Sequence, residues 1–149
     1  LLVRASTRGL SAMAAGDGRA VIADADVVIT TVPGYPGMMP FMDARDLKPG
    51  AFVAMVDLAR TWLPDSLEAI HRIIIDDRIQ EATMSKPMVG PALVAGDLQD
   101  LVSGRVTGRV RAKERAAFVF RGMAIGDLAL ASLAFDTARA KGSGCELPR

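Results

Sequence analysis

The sequence predicts an α/β protein, a parallel sheet with flanking helices. Apolar runs of strand length alternate with amphipathic helical stretches, and turn residues separate them at short intervals. The run Asp26 to Val32 is largely β-branched, as in a strand buried on both faces of a parallel sheet. The composition is that of one globular domain: 149 residues, 50% hydrophobic and 23% charged, which excludes a disordered or collagen-like chain.

The elements follow in order. Leu1 to Val3 reads as the end of a strand, Arg4 to Arg8 as a polar turn, and Gly9 to Ala15 as a short helix stopped by Gly16-Asp17-Gly18. Ala20 to Ile22 reads as a short strand, and Asp26 to Val32 as a strand closed by Pro33-Gly34. Gly34 to Met42, rich in Gly, Pro and Met, is a loop at that strand's carboxyl end. Leu47 to Gly50 is a turn, Ala51 to Val56 a buried strand, Pro64 to Ile70 a short helix with Pro at its first position, and Arg72 to Ile75 a strand ending in Asp76-Asp77. Beyond it lie a helical turn or two over Ile79 to Met84, a short helix over Asp97 to Val102 closed by Gly104, and a basic loop over Arg105 to Arg111. Ala117 to Phe120 reads as a strand, followed by a long helix from Gly122 to Lys141 that ends at Gly142. That helix carries a small, apolar surface suited to close packing on a sheet or a partner.

Several function classes fall away. No segment approaches the ~20 apolar residues of a membrane-spanning helix, and Leu1 to Arg4 lacks the layout of a secretion signal, so a cytoplasmic location is expected. The single cysteine, Cys145, provides no disulfide framework, and one His with one Cys is too small a set for a zinc site. A formal charge of +1 steers the chain toward neither nucleic acid nor acidic membrane. The opening Leu-Leu-Val, without an initiator Met, reads as the inside of a buried strand and hence as a fragment.

In open parallel sheets ligands bind outside the carboxyl ends of the strands. Three such places stand out: Arg4 to Arg8, Thr30 to Gly34, and Asp57. Arg4, Ser6, Thr7 and Arg8 offer cations and hydroxyls with no acid. At the end of a second dinucleotide-fold strand they suit the 2′-phosphate of NADP better than the bare ribose of NAD, while an ordinary solvated turn is the plain alternative. No Gly-rich phosphate loop is present, since Gly16-Asp17-Gly18 is too short and follows a helix. Asp57 follows a fully apolar run, where a carboxylate is costly unless paired, solvated or functional; it reads as a group that holds or protonates an amine, or as a turn residue. Asp76-Asp77 reads as the cap of the next helix. His71 reads as structural, the eight methionines as core filler or a mobile loop, and the cations between Arg105 and Arg121 as a solvated loop or phosphate contact.

Five segments occur together in the order found in one protein family. They are Ala25-Asp-Val-Val-Ile-Thr-Thr-Val-Pro33, Leu47-Lys-Pro-Gly-Ala-Phe-Val53, Asp76-Asp77, Leu101-Val-Ser-Gly-Arg-Val-Thr-Gly-Arg109 and Gly122-Met-Ala-Ile-Gly-Asp-Leu-Ala129. The chain thereby resembles the ornithine cyclodeaminase/mu-crystallin family over about residues 1–142. The resemblance implies a partial NAD(P)-binding Rossmann-like domain over 1–142, truncated before its first strand and phosphate-binding loop, with a tail over 143–149. It implies further that Thr30, Thr31, Val32 and Pro33 lie along the cofactor, that Val56 and Asp57 lie beside the nicotinamide with Asp57 catalytic, and that Gly122 comes near the ring. The cofactor implied is NADP, with NAD as the alternative, and the full-length protein would be a homodimer. Two departures from the family pattern tell against ornithine deamination: Val56 to Arg60 contains no glycine, and Val119-Phe120 stands where the family has Lys-Ser. The expected activity is therefore oxidoreduction at the C–N bond of an amino acid or cyclic imine, of the pyrroline-2-carboxylate reductase or amino-acid dehydrogenase kind. Ornithine cyclodeamination and cofactor binding without turnover are the alternatives.

Overall fold

The computed structural model describes Ala5, residues 7–145 and Leu147. The strand expected over Leu1 to Val3 lies outside the described residues. Five parallel strands form one sheet in the order β1-β2-β5-β3-β4: β1 (Val27–Thr30), β2 (Phe52–Met55), β3 (Arg72–Ile75), β4 (Val94–Asp97) and β5 (Ala116–Val119). The last strand in sequence thus sits in the middle, between β2 and β3. All five carboxyl ends consequently open on the same edge. Helices α1 (Gly18–Ile22), α2 (Arg78–Ala82), α3 (Leu98–Val102) and α4 (Ala124–Ala140), with 3-10 turns over Ala44–Asp46, Pro64–Ala69 and Pro91–Leu93, complete the described elements.

The register explains where the core lies. Val28 pairs with Val53, Val53 with Ala117 and Ala117 with Ile73, while Met55, Val119 and Ile75 form the next row. These side chains share one face, and every one of them is buried under Ile22, Leu47, Trp62, Leu67 and Ile70. The opposite face carries Val27, Phe52, Ala116 and Arg72 in one row and Ile29, Ala54, Phe118 and Ile74 in the other. It is half open: Val27 is 59% and Ile29 64% exposed. The expectation that this strand is buried on both faces is corrected accordingly, because the described residues leave the Val27 and Ile29 side of β1, the edge strand, uncovered. The long helix α4 departs from expectation in the same way. It buries none of its residues, and Ile125, Leu128, Leu130, Leu133 and Phe135 are exposed.

Two short elements are corrected near the start. Residues 9–15 are irregular instead of helical, and Ala20 to Ile22 belong to α1 instead of a strand. The Asp17 side chain accepts the Arg19 N–H at 2.9 Å, so an N-cap wins over the β preference of Val21 and Ile22. A strand that sequence reasoning did not register, β4, occupies Val94–Asp97. Its glycine is required by packing, since a Cβ on Gly96 would come within 2.9 Å of Val106.

The 3-10 turn over Ala44–Asp46 gives a pH prediction. Its cap, Asp43, accepts the Arg45 N–H at 2.9 Å and the Arg45 guanidinium at 2.8 and 2.7 Å. The Arg45 side chain first, and its backbone N–H second, hold the Asp43 carboxyl down from the ordinary 3.8 to about 2. A folded-state value below the unfolded one stabilises the fold above the unfolded value, and the contribution is lost as pH falls through the folded one. Thermal unfolding followed from pH 5 downward should therefore fall less steeply in Asp43→Asn than in the wild type between about pH 4 and pH 2. Identical slopes would show that Asp43 is not linked to folding.

Candidate functional site

The strand ends are stitched together at their carboxyl edge. The Val56 N–H donates to the Thr30 carbonyl at 2.9 Å and the Phe120 N–H to the Met55 carbonyl at 3.0 Å, joining the exits of β1, β2 and β5. Of the residues the sequence puts forward, Thr31 and Pro33 are exposed here, Val32 and Gly122 are half-buried, and Val56 is 46% exposed. Arg4 and Ser6 lie outside the described residues. Thr7 and Arg8 are exposed, in a turn whose Arg8 N–H reaches the Ala5 carbonyl at 3.0 Å.

Thr30 and Asp57 differ from expectation. The Thr30 side chain points into the core, where its hydroxyl donates to Asp57 Oδ1 at 3.0 Å and accepts Trp62 Nε1–H at 3.3 Å. Asp57 is only 5% exposed, and its Oδ2 accepts the Thr61 hydroxyl at 2.9 Å. In place of a carboxylate open to a ligand, Asp57 is the centre of a closed network that ties the end of β1 to the loop after β2. It lies at the same carboxyl edge as Gly122, past the ends of the adjacent strands β2 and β5.

The network braces an unusual loop. Leu58 and Ala59 both adopt left-handed backbone, with φ of 62° and 57°, in the stretch that lacks glycine. Each such residue costs on the order of 1 kcal/mol and persists only where its surroundings over-determine it. Asp57, Thr61 and Trp62 supply that determination, and the Trp62 N–H closes the turn on the Ala59 carbonyl at 3.1 Å. Arg60 is thereby placed over Gly34, close enough that a Cβ on Gly34 would clash with the guanidinium.

A second clamp fixes the exit of β5. Asp77 caps α2 as expected, accepting the Ile79 and Gln80 N–H groups at 2.7 and 2.9 Å. Asp76 does something else. It is 2% exposed, and its Oδ2 accepts the successive N–H groups of Arg121 and Gly122 at 2.8 and 2.7 Å. The Arg121 side chain meets Glu81 at 2.7 Å and the Lys86 carbonyl at 3.2 Å. Burial pushes the Glu81 carboxyl up, but Arg121 and the Met88 N–H hold it below the usual carboxylate range. Sequence reasoning missed this role of Asp76 because the partners are 45 and 46 residues away.

Between the two clamps lies an open cavity of about 580 Å³, lined in part by Gly34, Tyr35, Leu58, Arg60, Lys86 and Arg121. Next to the lining Arg121 the chain turns from β5 into α4 at Gly122, whose φ is 131° and whose absent Cβ would meet nothing within 4 Å; Gly122 itself, like Thr31, Val32, Pro33, Val56 and Asp57, does not line the cavity. A flat ring has room to approach the backbone there. No cluster of metal-ligating side chains occurs among the described residues, and no described helix is long and apolar enough to cross a membrane.

Comparison with known proteins agrees with this architecture. The chain is 31% identical over 127 residues to the nodulation efficiency protein NfeD of Rhizobium meliloti, covering 83% of this chain and 39% of the relative. It superposes on an archaeal alanine dehydrogenase dimer with bound NAD at a TM-score of 0.77 and 22% identity, over 99% of this chain and 48% of that one. A Δ1-pyrroline-2-carboxylate reductase of Thermococcus litoralis, solved with NADH and L-proline, gives a TM-score of 0.75 at 18% identity, over 96% and 47%. At these identities the superpositions establish the Rossmann-like fold. The chain spans less than half the length of each of these proteins. The ornithine cyclodeaminase/mu-crystallin family model matches residues 2–142, nearly the whole chain, and the chain belongs to that family.

Proposed function

We propose that the protein is an NAD(P)-dependent oxidoreductase acting on a C–N bond of an amino or imino acid, of the amino-acid dehydrogenase or pyrroline-2-carboxylate reductase kind. The observation that carries this reading is the cavity at the common carboxyl edge, bordered by the exits of β1, β2 and β5, in a chain of this family. The open backbone at Gly122 and the exposed Thr31, Pro33 and Val56 fit a nicotinamide ring and its ribose. When bound, the nicotinamide supplies or accepts hydride at the carbon bonded to nitrogen. Thr31 to Pro33, Val56 and Gly122 orient it, and Asp76 holds Gly122 in place for that contact. Asp57, with both oxygens engaged, acts by bracing the Leu58 to Trp62 loop and not by delivering a proton. NADP is the preferred cofactor in this reading, on the strength of Arg4, Ser6, Thr7 and Arg8. The protein works as a homodimer, as the alanine dehydrogenase neighbour does.

Initial rates of NADPH and NADH oxidation with Δ1-pyrroline-2-carboxylate, and with pyruvate plus ammonia, test the reading. Turnover with NADPH favoured over NADH is expected. Release of ammonia from ornithine without net cofactor change would make the protein a cyclodeaminase, and NADPH binding without turnover would make it a binding protein. Asp57→Asn should depress cofactor binding and turnover together. A loss confined to turnover would return Asp57 to a proton-transfer role.

A further inference from the structure

We infer that the cavity selects a carboxylate on an apolar body and rejects substrates with a distal ammonium, Arg60 and Lys86 being the residues that make the selection. The inference rests on the reading of the site given above, and it names the substrate class.

The cavity has cations and no acid. Three basic side chains, Arg60, Lys86 and Arg121, line it, and no Asp or Glu does. Arg121 is already satisfied by Glu81 at 2.7 Å. Neither the Arg60 guanidinium nor the Lys86 ammonium meets a carboxylate among the described residues. Two uncompensated cations facing one concavity attract an anionic oxygen group, and a planar guanidinium takes a carboxylate with two parallel hydrogen bonds. Arg60 is also the side chain that the strained, braced loop delivers to this place, against Gly34. The remaining walls are mostly apolar and include Tyr35, Pro36, Met38, Leu58, Pro87 and Met88. Such walls suit an aliphatic chain or ring, but they offer a distal ammonium no carboxylate, only the Tyr35 hydroxyl and aromatic rings. A diamino acid would bring a second positive charge to a site that already holds two.

A matched pair of probes tests this without depending on turnover. Valerate and 5-aminovalerate share one carboxylate and nearly the same body and differ in the terminal ammonium. Titrated into the purified protein and followed by the backbone amide resonances of Gly34 and Arg60, valerate should bind at least about ten-fold more tightly than 5-aminovalerate. Arg60→Ala should weaken valerate by about ten-fold or more, with Arg60→Lys restoring part of it and the unfolding midpoint unchanged. Equal affinities for the two probes, or an Arg60→Ala variant that binds valerate as the wild type does, would overturn the inference. Displacement of valerate by inorganic phosphate at lower concentration than by acetate would also overturn it, because the anion served would then be a cofactor phosphate. If the probes behave as expected in a protein with no turnover on amino or imino acids, the subsite stands and the oxidoreductase reading fails. If turnover is present and Arg60→Ala changes neither KM nor valerate binding, the reading stands and the subsite fails.

Discussion

Trp62→Ala should destabilise the protein by about 3–5 kcal/mol, the cost of emptying a large core site that cannot collapse. Trp62 is 1% exposed and lies among the largest fully buried side chains, packed under the sheet with Leu47, Met55 and Ile73. The backbone on either side of it ties two loops together. Thr61, next to it, accepts the N–H groups of Phe41 and Met42 at 2.9 and 2.8 Å, and Leu63 donates to the Met42 carbonyl at 2.8 Å. The loop after β1 is thereby laid against the loop after β2. Trp62→Phe retains most of the volume and loses only a long 3.3 Å indole hydrogen bond to Thr30, so it should cost about 1 kcal/mol plus a modest packing loss. Urea denaturation of both variants measures the difference. A Trp62→Ala loss below that of Trp62→Phe would mean that the indole is not packed as described.

Asp76→Ala should cost about 3 kcal/mol, since it removes a charged acceptor from two backbone N–H groups and leaves them without their partner at the β5 exit. Asp76→Asn should recover only part of this, because an amide presents a single oxygen and turns donors toward the remaining N–H groups. Because Gly122 borders the proposed ring site, the Asn variant should also bind cofactor less tightly under conditions where it is fully folded. Isothermal titration with NADPH alongside denaturation separates the two effects. Unchanged affinity in a folded Asp76→Asn protein would confine Asp76 to stability.

How much of this was legible in the sequence depended on whether a residue's partners lay nearby in the chain. The strands at Val27, Phe52, Arg72 and Ala116 announce themselves through apolar or β-branched runs bounded by turn residues, and Pro64 and Asp77 announce their helical turns by position. The strand Val94–Asp97 gives no such signal, being four residues long with a glycine inside it. Ala20 to Ile22 carries β propensity but follows an N-cap, and the local cap decided the outcome. At the site, the sequence points to Asp57 through the oddity of a carboxylate after an apolar run. It does not show that Thr30, 27 residues earlier, and Thr61 absorb both oxygens. The missing glycines in Val56 to Arg60 were legible as a departure from the family. Their consequence was not, since Leu58 and Ala59 take the left-handed conformations that glycine favours and place Arg60 at the cavity. The openness of β1 and α4 depends on what covers them, which no local pattern encodes.

If cofactor and substrate meet at the carboxyl edge of this sheet, a structure of the protein with NADPH bound will show it. The nicotinamide ring is expected against Thr31 to Pro33 and Val56, within contact of the Gly122 backbone, with its reactive face open to the cavity that holds Arg60 and Lys86. A ring lying at the amino ends of the strands, or on the far side of β4 away from that cavity, would contradict it.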